Sequence, residues 1–532
     1  MKKIKYGILM LIAVVFGITS CTKDLDVKPI DPDDVTAEVV YSKPEGYSQG
    51  LAKIYGLFSL TGDGIKGDIS GDEGFSGFLR VYWNIQELTS DNAKCAWGDA
   101  GIDQLNFGQL SPENQFVYYM YYRVMLSATF MNEYLRQTTE DKVKGRGLGN
   151  IWPDVQKYRA EVRFLRAYIY WVGLDLFGNI PVVTEADQIG AGLPIQKTQK
   201  EVFDFVEKEL LEVQNELAAP NSNAYGRVDK AAAWTLLAKL YLNAETYIKE
   251  KHYTDAYTYA KKVITESSYK LQNNYAYNFL ADNDVNKSEI IWPIASDGTR
   301  TQSFANLTFI MNSSTNGGDA AWKSAIGLQG GWNGNRGTAK LAELFGITDK
   351  ASLESCPDKR AMFRMLDDIK MNDWKTFVQG VGIMKFKNIT STGAVGSDPT
   401  GTFPDTDFPM LRLADVYLMY AEAAVRGGGD VDATVPFVND IRKRAFGDEN
   451  HNVAKADLTL DFILAERGRE LYYEATRRTD LVRFGKFTSA DYLWPWKGGA
   501  KDGKATDVKY NLLPLPYQEV GSNPNMKQNP GY

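Results

Sequence analysis

Two tryptophans stand where neither a helix nor a strand accounts for them. Trp97 occurs in KCAWGDA and Trp332 in GGWNG, each beside glycine in a polar stretch without hydrophobic period. A large flat apolar side chain in such a place marks a binding surface for a ligand with an apolar face of its own. Trp83 and Trp171 lie in periodic segments and are expected in the core. Trp322, in DAAWKS, is an alternative to Trp332, while Trp494 and Trp496, in YLWPWKGG, read as a packed corner. Two acidic pairs offer a second chemistry. Asp282 with Asp284, and Asp405 with Asp407, are loop carboxylates. With backbone carbonyls they suit Ca²⁺; otherwise they cap helices or face water.

Other chemistries find little support. The two histidines, His252 and His451, lack a second His or Cys at ligand spacing, so neither a zinc site nor a His-dependent mechanism is expected. Cys95 and Cys356 show no redox or metal spacing and are expected as free or buried thiols. TGDGIKGDISG (61–71) has glycines but no strand-to-helix context and no Lys-Ser/Thr ending, so it is no nucleotide loop. No nucleophile elbow occurs. With 67 Asp and Glu residues a hydrolytic pair is not dismissed by counting, but no motif marks one. A net charge of -7 argues against a nucleic-acid partner.

The elements that must position these residues read clearly. Residues 2–5 are basic, 7–18 form an apolar run too short to span a bilayer, and small Thr19 and Ser20 precede Cys21. This order marks 1–20 as a signal peptide and resembles a bacterial lipobox, with Cys21 lipidated as the mature N-terminus. Polar, proline-bearing residues 21–35 read as a tether. Helical spacing covers 36–59, 113–135, 152–178 and 199–217. In 229–267, Trp234, Leu237 and Tyr241 follow the spacing of a tetratricopeptide first helix, and Ala256 and Ala260 let a second helix approach closely. Helix pairs recur over 411–428 and 433–445, and 459–487 reads as one amphipathic helix. Between about 270 and 405 the chain is rich in Gly, Asn, Ser and Thr yet carries tryptophan, which argues for an ordered, loop-rich lobe.

The expected fold is therefore mainly α. A tetratricopeptide-like scaffold of helical pairs packs against a loop-rich variable lobe. The divisions fall at 36–270 (helical scaffold with binding loops), 271–405 (loop-rich lobe) and 406–532 (helical part and docked tail).

Several stretches resemble, in order, the SusD/RagB family of surface glycan-binding lipoproteins of Bacteroidetes. They are the Cys21 lipobox, NIQELTSD (84–91), EVRFLRAYIYWVGLDLFGNIP (161–181), PDTDFPMLRLADVYLMYAEA (404–423), AERGRELYYEATRRTDLVRFG (465–485) and NPNMKQNPGY (523–532). Within the family, GDEGFSGFLR (71–80), ADND (281–284), AWGD (96–99) and YLWPWKGGA (492–500) are most similar to the starch-binding founding member. The resemblance implies a non-catalytic, lipid-anchored outer-membrane protein that works with a SusC-like TonB-dependent transporter. It matches Trp97, Trp332 and Phe304 to an aromatic platform, with Phe304 replacing a tyrosine. It matches Asp72 and Arg80 to polar groups beside that platform, and Asp284, Asp405 and Asp407 to a structural calcium site; no other cofactor is implied. Cys95 and Ala100 depart from the founding member's pattern around Trp97.

A pyranose ring has faces lined by C–H groups, and a flat aromatic ring can cover one. Burying about 100 Å² per ring yields roughly 2.5 kcal/mol gross. Association costs at least about 4 kcal/mol, which leaves weak binding in the millimolar to micromolar range. The expected ligand is a starch-type α-glucan, with a fructan or another glycan as the alternative. A surface hydrolase and a protein-only adaptor are the competing functions.

Overall fold

A computed structural model describes residues 36–62, 67–190 and 192–532. The signal peptide, Cys21 and the 21–35 tether lie outside the described residues. The helices that matter here are α1 (Pro44–Gly56), α2 (Phe78–Trp83), α3 (Gln115–Gln137), α4 (Trp152–Phe177), α5 (Gln199–Val213), α6 (Lys230–Leu242) and α7 (Tyr253–Glu266). After the lobe come α8 (Leu413–Ala423), α9 (Val435–Phe446), α10 (Leu460–Leu471) and α11 (Arg477–Arg483).

Their termini follow from local chemistry. Pro153 sits in the first turn of α4, and Gly178 ends it at φ 72°. Thr198 and Glu201 close a capping box on α5, and Asp229 caps α6 through the amides of Ala231 and Ala232. Packing is pairwise: α3 on α4, α4 on α5, α6 on α7, and α7 on α8. Ala256 and Ala260 are both buried in α7, where it meets α6, as the tetratricopeptide spacing requires. Trp83 and Trp171 are core residues, at 0% and 4% exposure. The C-terminal tail is docked: the Asn529 amide donates to the carbonyls of Phe177 and Leu513.

The lobe holds most of the strands. Strands β1 (Ala93–Cys95), β3 (Asn335–Gly337), β4 (Phe363–Met365) and β5 (Val381–Ile383) form one antiparallel sheet in the order β1-β3-β5-β4. Strands β2 (Ile290–Ile294) and β6 (Phe408–Arg412) pair separately. Strand β1 comes from the N-terminal segment, so the sheet crosses the linear division at residue 270.

One expectation needs correction. The segment 459–487 is not a single helix. It breaks at Tyr472–Thr476, with Tyr473 at φ 64° and Ala475 at φ 57°. The break is stabilised from far away. The amides of Tyr473 and Ala475 donate to the Glu87 carboxylate, and the Trp83 indole N–H donates to the Tyr473 carbonyl at 3.1 Å. Periodicity within the segment cannot reveal such partners.

The stretch AERGRELYYEATRR builds a buried ionic network. Arg412 bonds Glu474 (2.5 Å), Glu289 (2.7 Å) and Glu470 (2.7 Å). Arg360 bonds Glu466 (2.7 Å), Lys385 bonds Glu474 (2.6 Å), and Arg444 bonds Glu470. Arg360 and Lys385 belong to the lobe, so the network clamps lobe to scaffold. Burial pushes the Glu466 carboxyl up, but Arg360, Arg469 and Arg442 more than offset this and hold it at about 2. Removing one partner from such a network is expensive, because it strands a buried charge.

Candidate functional site

Trp97 follows directly on a buried polar frame. Arg477 grips Asp91 with two hydrogen bonds, at 2.7 and 2.8 Å. Lys94 donates to the carbonyls of Leu88, Ser90 and Ala93, although burial lowers its amine to about 7. Cys95 pairs through its backbone with the Asn106 side chain. Rigidly held to this point, the chain then emerges. Ala96 donates to the Gly334 carbonyl at 2.8 Å, and Trp97 is half-buried.

The second loop is built from glycine. Gly334 lies under the Trp97 indole: a Cβ there would stand 2.5 Å from Trp97 Cε2. Gly317 and Gly331 meet backbone to backbone, where a Cβ on Gly317 would fall 2.4 Å from the Gly331 carbonyl oxygen. Trp332, Asn333 and Gly334 each donate a backbone N–H into 312–315. Trp97 Nε1 donates to the Trp332 carbonyl at 3.0 Å. The indole N–H is thus satisfied within the protein and needs no partner from a ligand.

The third ring stands beside them. Glu73 accepts from the Phe304 amide (3.1 Å) and the Ser303 hydroxyl (2.7 Å). A Cβ at Gly74 would sit 2.4 Å from the Phe304 carbonyl carbon, and one at Gly77 would sit 2.1 Å from Ala305 Cβ. Gly74 and Gly77 of GDEGFSG are therefore close-approach residues that seat Phe304. The result is a row of half-buried rings. Trp97 and Trp332 have centroids 6.5 Å apart and planes inclined by 41°; Trp332 and Phe304 are 5.8 Å apart at 55°.

Phe403 extends the row, 5.4 Å from Phe304 at 42°. Sequence reasoning missed it. Its signal was the same as for the tryptophans, an aromatic beside Gly and Pro in polar GTFPD, but phenylalanine is too ordinary to stand out.

Arg80 and Asp72 lie beside the row, differently placed. The Arg80 guanidinium is sandwiched between Phe75 (4.5 Å) and Phe309 (4.4 Å), and Phe309 also touches Trp97 edge-on. Burial pushes Arg80 down to about 10, and Asp72, Asp99 and Glu73 partly offset this. Asp72 and Asp99 are exposed. Trp322 is fully buried, which removes it as an alternative to Trp332. Trp494 is buried, and Trp496 stacks on Phe107 with its N–H bound to the Met371 carbonyl, a packed corner. Cys95 and Cys356 are free thiols.

Asp284, Asp405 and Asp407 line one separate depression of about 450 Å³. Asp405 accepts from Gly298 N (2.7 Å), Ser397 N (2.6 Å) and Ser397 Oγ (2.7 Å). Asp407 accepts from Ser296 N (2.7 Å) and the Tyr225 hydroxyl (2.6 Å). Burial, then the charges of Asp284 and Asp405, push Asp407 up to about 7. Carboxylates gathered with hydroxyls suit a hard cation. Among the described residues, however, no three His, Cys, Asp or Glu groups stand close enough together to hold a metal ion.

A helical-repeat scaffold that displays a row of rings on a rigid loop surface defines a binding protein. Comparison with known proteins agrees. The chain is 35% identical to the starch-binding protein SusD of Bacteroides thetaiotaomicron, over 98% of each chain. It is 26% identical to the SusD-like protein P25 of Formosa agariphila, over 69% of this chain and 70% of that one. A family model described as the SusD family matches residues 353–532, and one described as starch-binding and associating with the outer membrane matches 82–242. Solved structures share the fold. A SusD superfamily protein from Parabacteroides distasonis superposes with a TM-score of 0.69 at 21% identity, covering 94% of this chain and all of that one. A laminarin-binding SusD-like protein does so at 0.67 and 22%, over 92% and 100%. The chain belongs to the SusD family, and its mainly helical architecture is that of the family. No described helix is long and apolar enough to cross a membrane.

Proposed function

We propose that this protein is a lipid-anchored lipoprotein of the outer-membrane surface. It holds a starch-type α-glucan on the Trp97–Trp332–Phe304 row and passes it, uncleaved, to a SusC-like TonB-dependent transporter. The observation that carries the binding role is the row itself: Trp97 and Trp332, 235 residues apart in sequence, meet at 6.5 Å, and Phe304 joins them 5.8 Å from Trp332. Successive planes are inclined to one another, so a ligand that covers each ring in turn must itself turn, as an α-linked glucan does. Identity to a starch-binding relative supports the same sugar. Arg80 and Asp72, at the margin of the row, supply polar partners that orient hydroxyls. The lipobox-like stretch that ends at Cys21 supports the anchor, since acyl chains on that cysteine would hold the folded domain at a bilayer without a spanning helix. Asp284 and the Asp405–Asp407 loop, which stand too far apart as described to enclose a metal ion, are proposed to be drawn together by calcium as a structural brace.

The test is affinity electrophoresis through gels containing amylopectin, a fructan or laminarin, with Trp97→Ala and Trp332→Ala alongside. Amylopectin retards the unsubstituted protein, and each variant loses roughly 10- to 60-fold in affinity, the equivalent of about 1.4–2.5 kcal/mol for one ring. Retardation by fructan or laminarin alone refutes the α-glucan assignment. Release of reducing sugar by the purified protein refutes the non-catalytic role.

A further inference from the structure

We infer that the platform has a fourth position, formed by Phe403, and that the site therefore reads the length of its glycan. The inference rests on the binding role proposed above. Phe403 lies in 397–405, a loop organised around one carboxylate. Asp398 accepts from the backbone amides of Thr400, Thr402 and Phe403 and from the Thr400 hydroxyl, at 2.7–2.9 Å. The Asn312 amide holds the Thr402 carbonyl at 3.1 Å, and the same asparagine's carbonyl receives the Trp332 amide at 2.7 Å. The loops that present Trp332 and Phe403 are thus tied to one residue.

Trp97 and Trp332 are partly buried rings packed against the main core. Phe304 leans on both Trp332 and Phe403. Aromatic rings left half-open to water in this way mark a binding surface. The steps along the row, 6.5, 5.8 and 5.4 Å, are near-equal, with inclinations of 41°, 55° and 42°. Near-equal spacing with a similar tilt at each step suits a polymer of identical units. Near this loop, exposed Gln329 donates its backbone N–H to the Gly401 carbonyl at 3.0 Å. A short oligosaccharide would cover the tryptophans alone; a longer one would also reach Phe403.

Isothermal titration with maltotriose and with maltoheptaose tests this on the unsubstituted protein, Phe403→Ala and Phe403→Leu. The leucine variant keeps bulk while it removes the flat ring. The unsubstituted protein binds maltoheptaose more tightly than maltotriose. Both variants lose about tenfold for maltoheptaose, the equivalent of about 1.4 kcal/mol, and nothing for maltotriose, with melting temperatures unchanged. If the unsubstituted protein binds and both variants keep its full preference for the longer sugar, the fourth position is refuted while the platform stands. If the unsubstituted protein binds neither sugar, the α-glucan reading fails and this extension fails with it.

Discussion

Alanine at position 334 strikes the platform where it is most crowded. Gly334 is not among the glycines held at positive φ, so the change is purely steric. The new Cβ would lie 2.5 Å from Trp97 Cε2, 2.6 Å from Cζ2 and 2.9 Å from Nε1. Carbon atoms in contact sit about 3.5–4.0 Å apart, so one partner must retreat by about 1 Å. The backbone of Gly334 is pinned on both sides, its N–H to the Ser313 carbonyl and its carbonyl to the Ala96 amide, each at 2.8 Å. The indole therefore moves. It loses the hydrogen bond to Trp332, worth about 0.5–1.5 kcal/mol, and the overpacking costs about 1–3 kcal/mol. A fold of this size survives that. Binding suffers more, because the first ring no longer faces the ligand together with the second. Loss of one ring's contact, up to about 2.5 kcal/mol, is up to roughly 60-fold in affinity. Gly98→Ala is the matched control: it adjoins the same tryptophan, has nothing within 4 Å of a Cβ, and is not held at positive φ. Titration of maltoheptaose into both variants decides the matter. Equal dissociation constants for Gly334→Ala and the unsubstituted protein refute the argument, and so does a loss in Gly98→Ala as large as in Gly334→Ala.

The network and the carboxylate depression yield two more expectations. Glu466 is held at about 2 in the fold, against an ordinary value of 4.5. Its folded value is depressed, so its contribution is present above pH 4.5 and is lost as pH falls from 4.5 through 2. The amount is about 3 kcal/mol. Melting temperatures should therefore fall steeply across that window, and Glu466→Gln should start lower and fall less; an unchanged slope in the variant counts against the network's role. Calcium chloride should raise the melting temperature of the unsubstituted protein and leave that of Asp284→Asn, an exposed position, unmoved. An equal rise in both removes calcium from the depression.

What could be seen in the chain beforehand depended on how local its cause was. Helices α3 to α7 were legible because a buried stripe repeats within a few residues and caps lie at the ends. Trp97 was legible because it is out of place. The break at Tyr472–Thr476 was not, because the carboxylate that stabilises it belongs to Glu87, 386 residues from Tyr473. The pairing of β1 with β3 joins Lys94 to Arg336 across the same kind of distance. Phe403 was hidden by its ordinariness. This division has a functional consequence. The stretches that carry the family resemblance, NIQELTSD and AERGRELYYEATRR, supply Glu87, Asp91, Glu466, Glu470, Glu474 and Arg477. Each is buried and bonded to another part of the protein, which leaves none of them open to a ligand. The rings that could touch sugar sit in glycine-bearing loops anchored on that frame. A change of glycan would therefore require new rings at 97, 304, 332 and 403, while the ionic frame beneath them stays as it is.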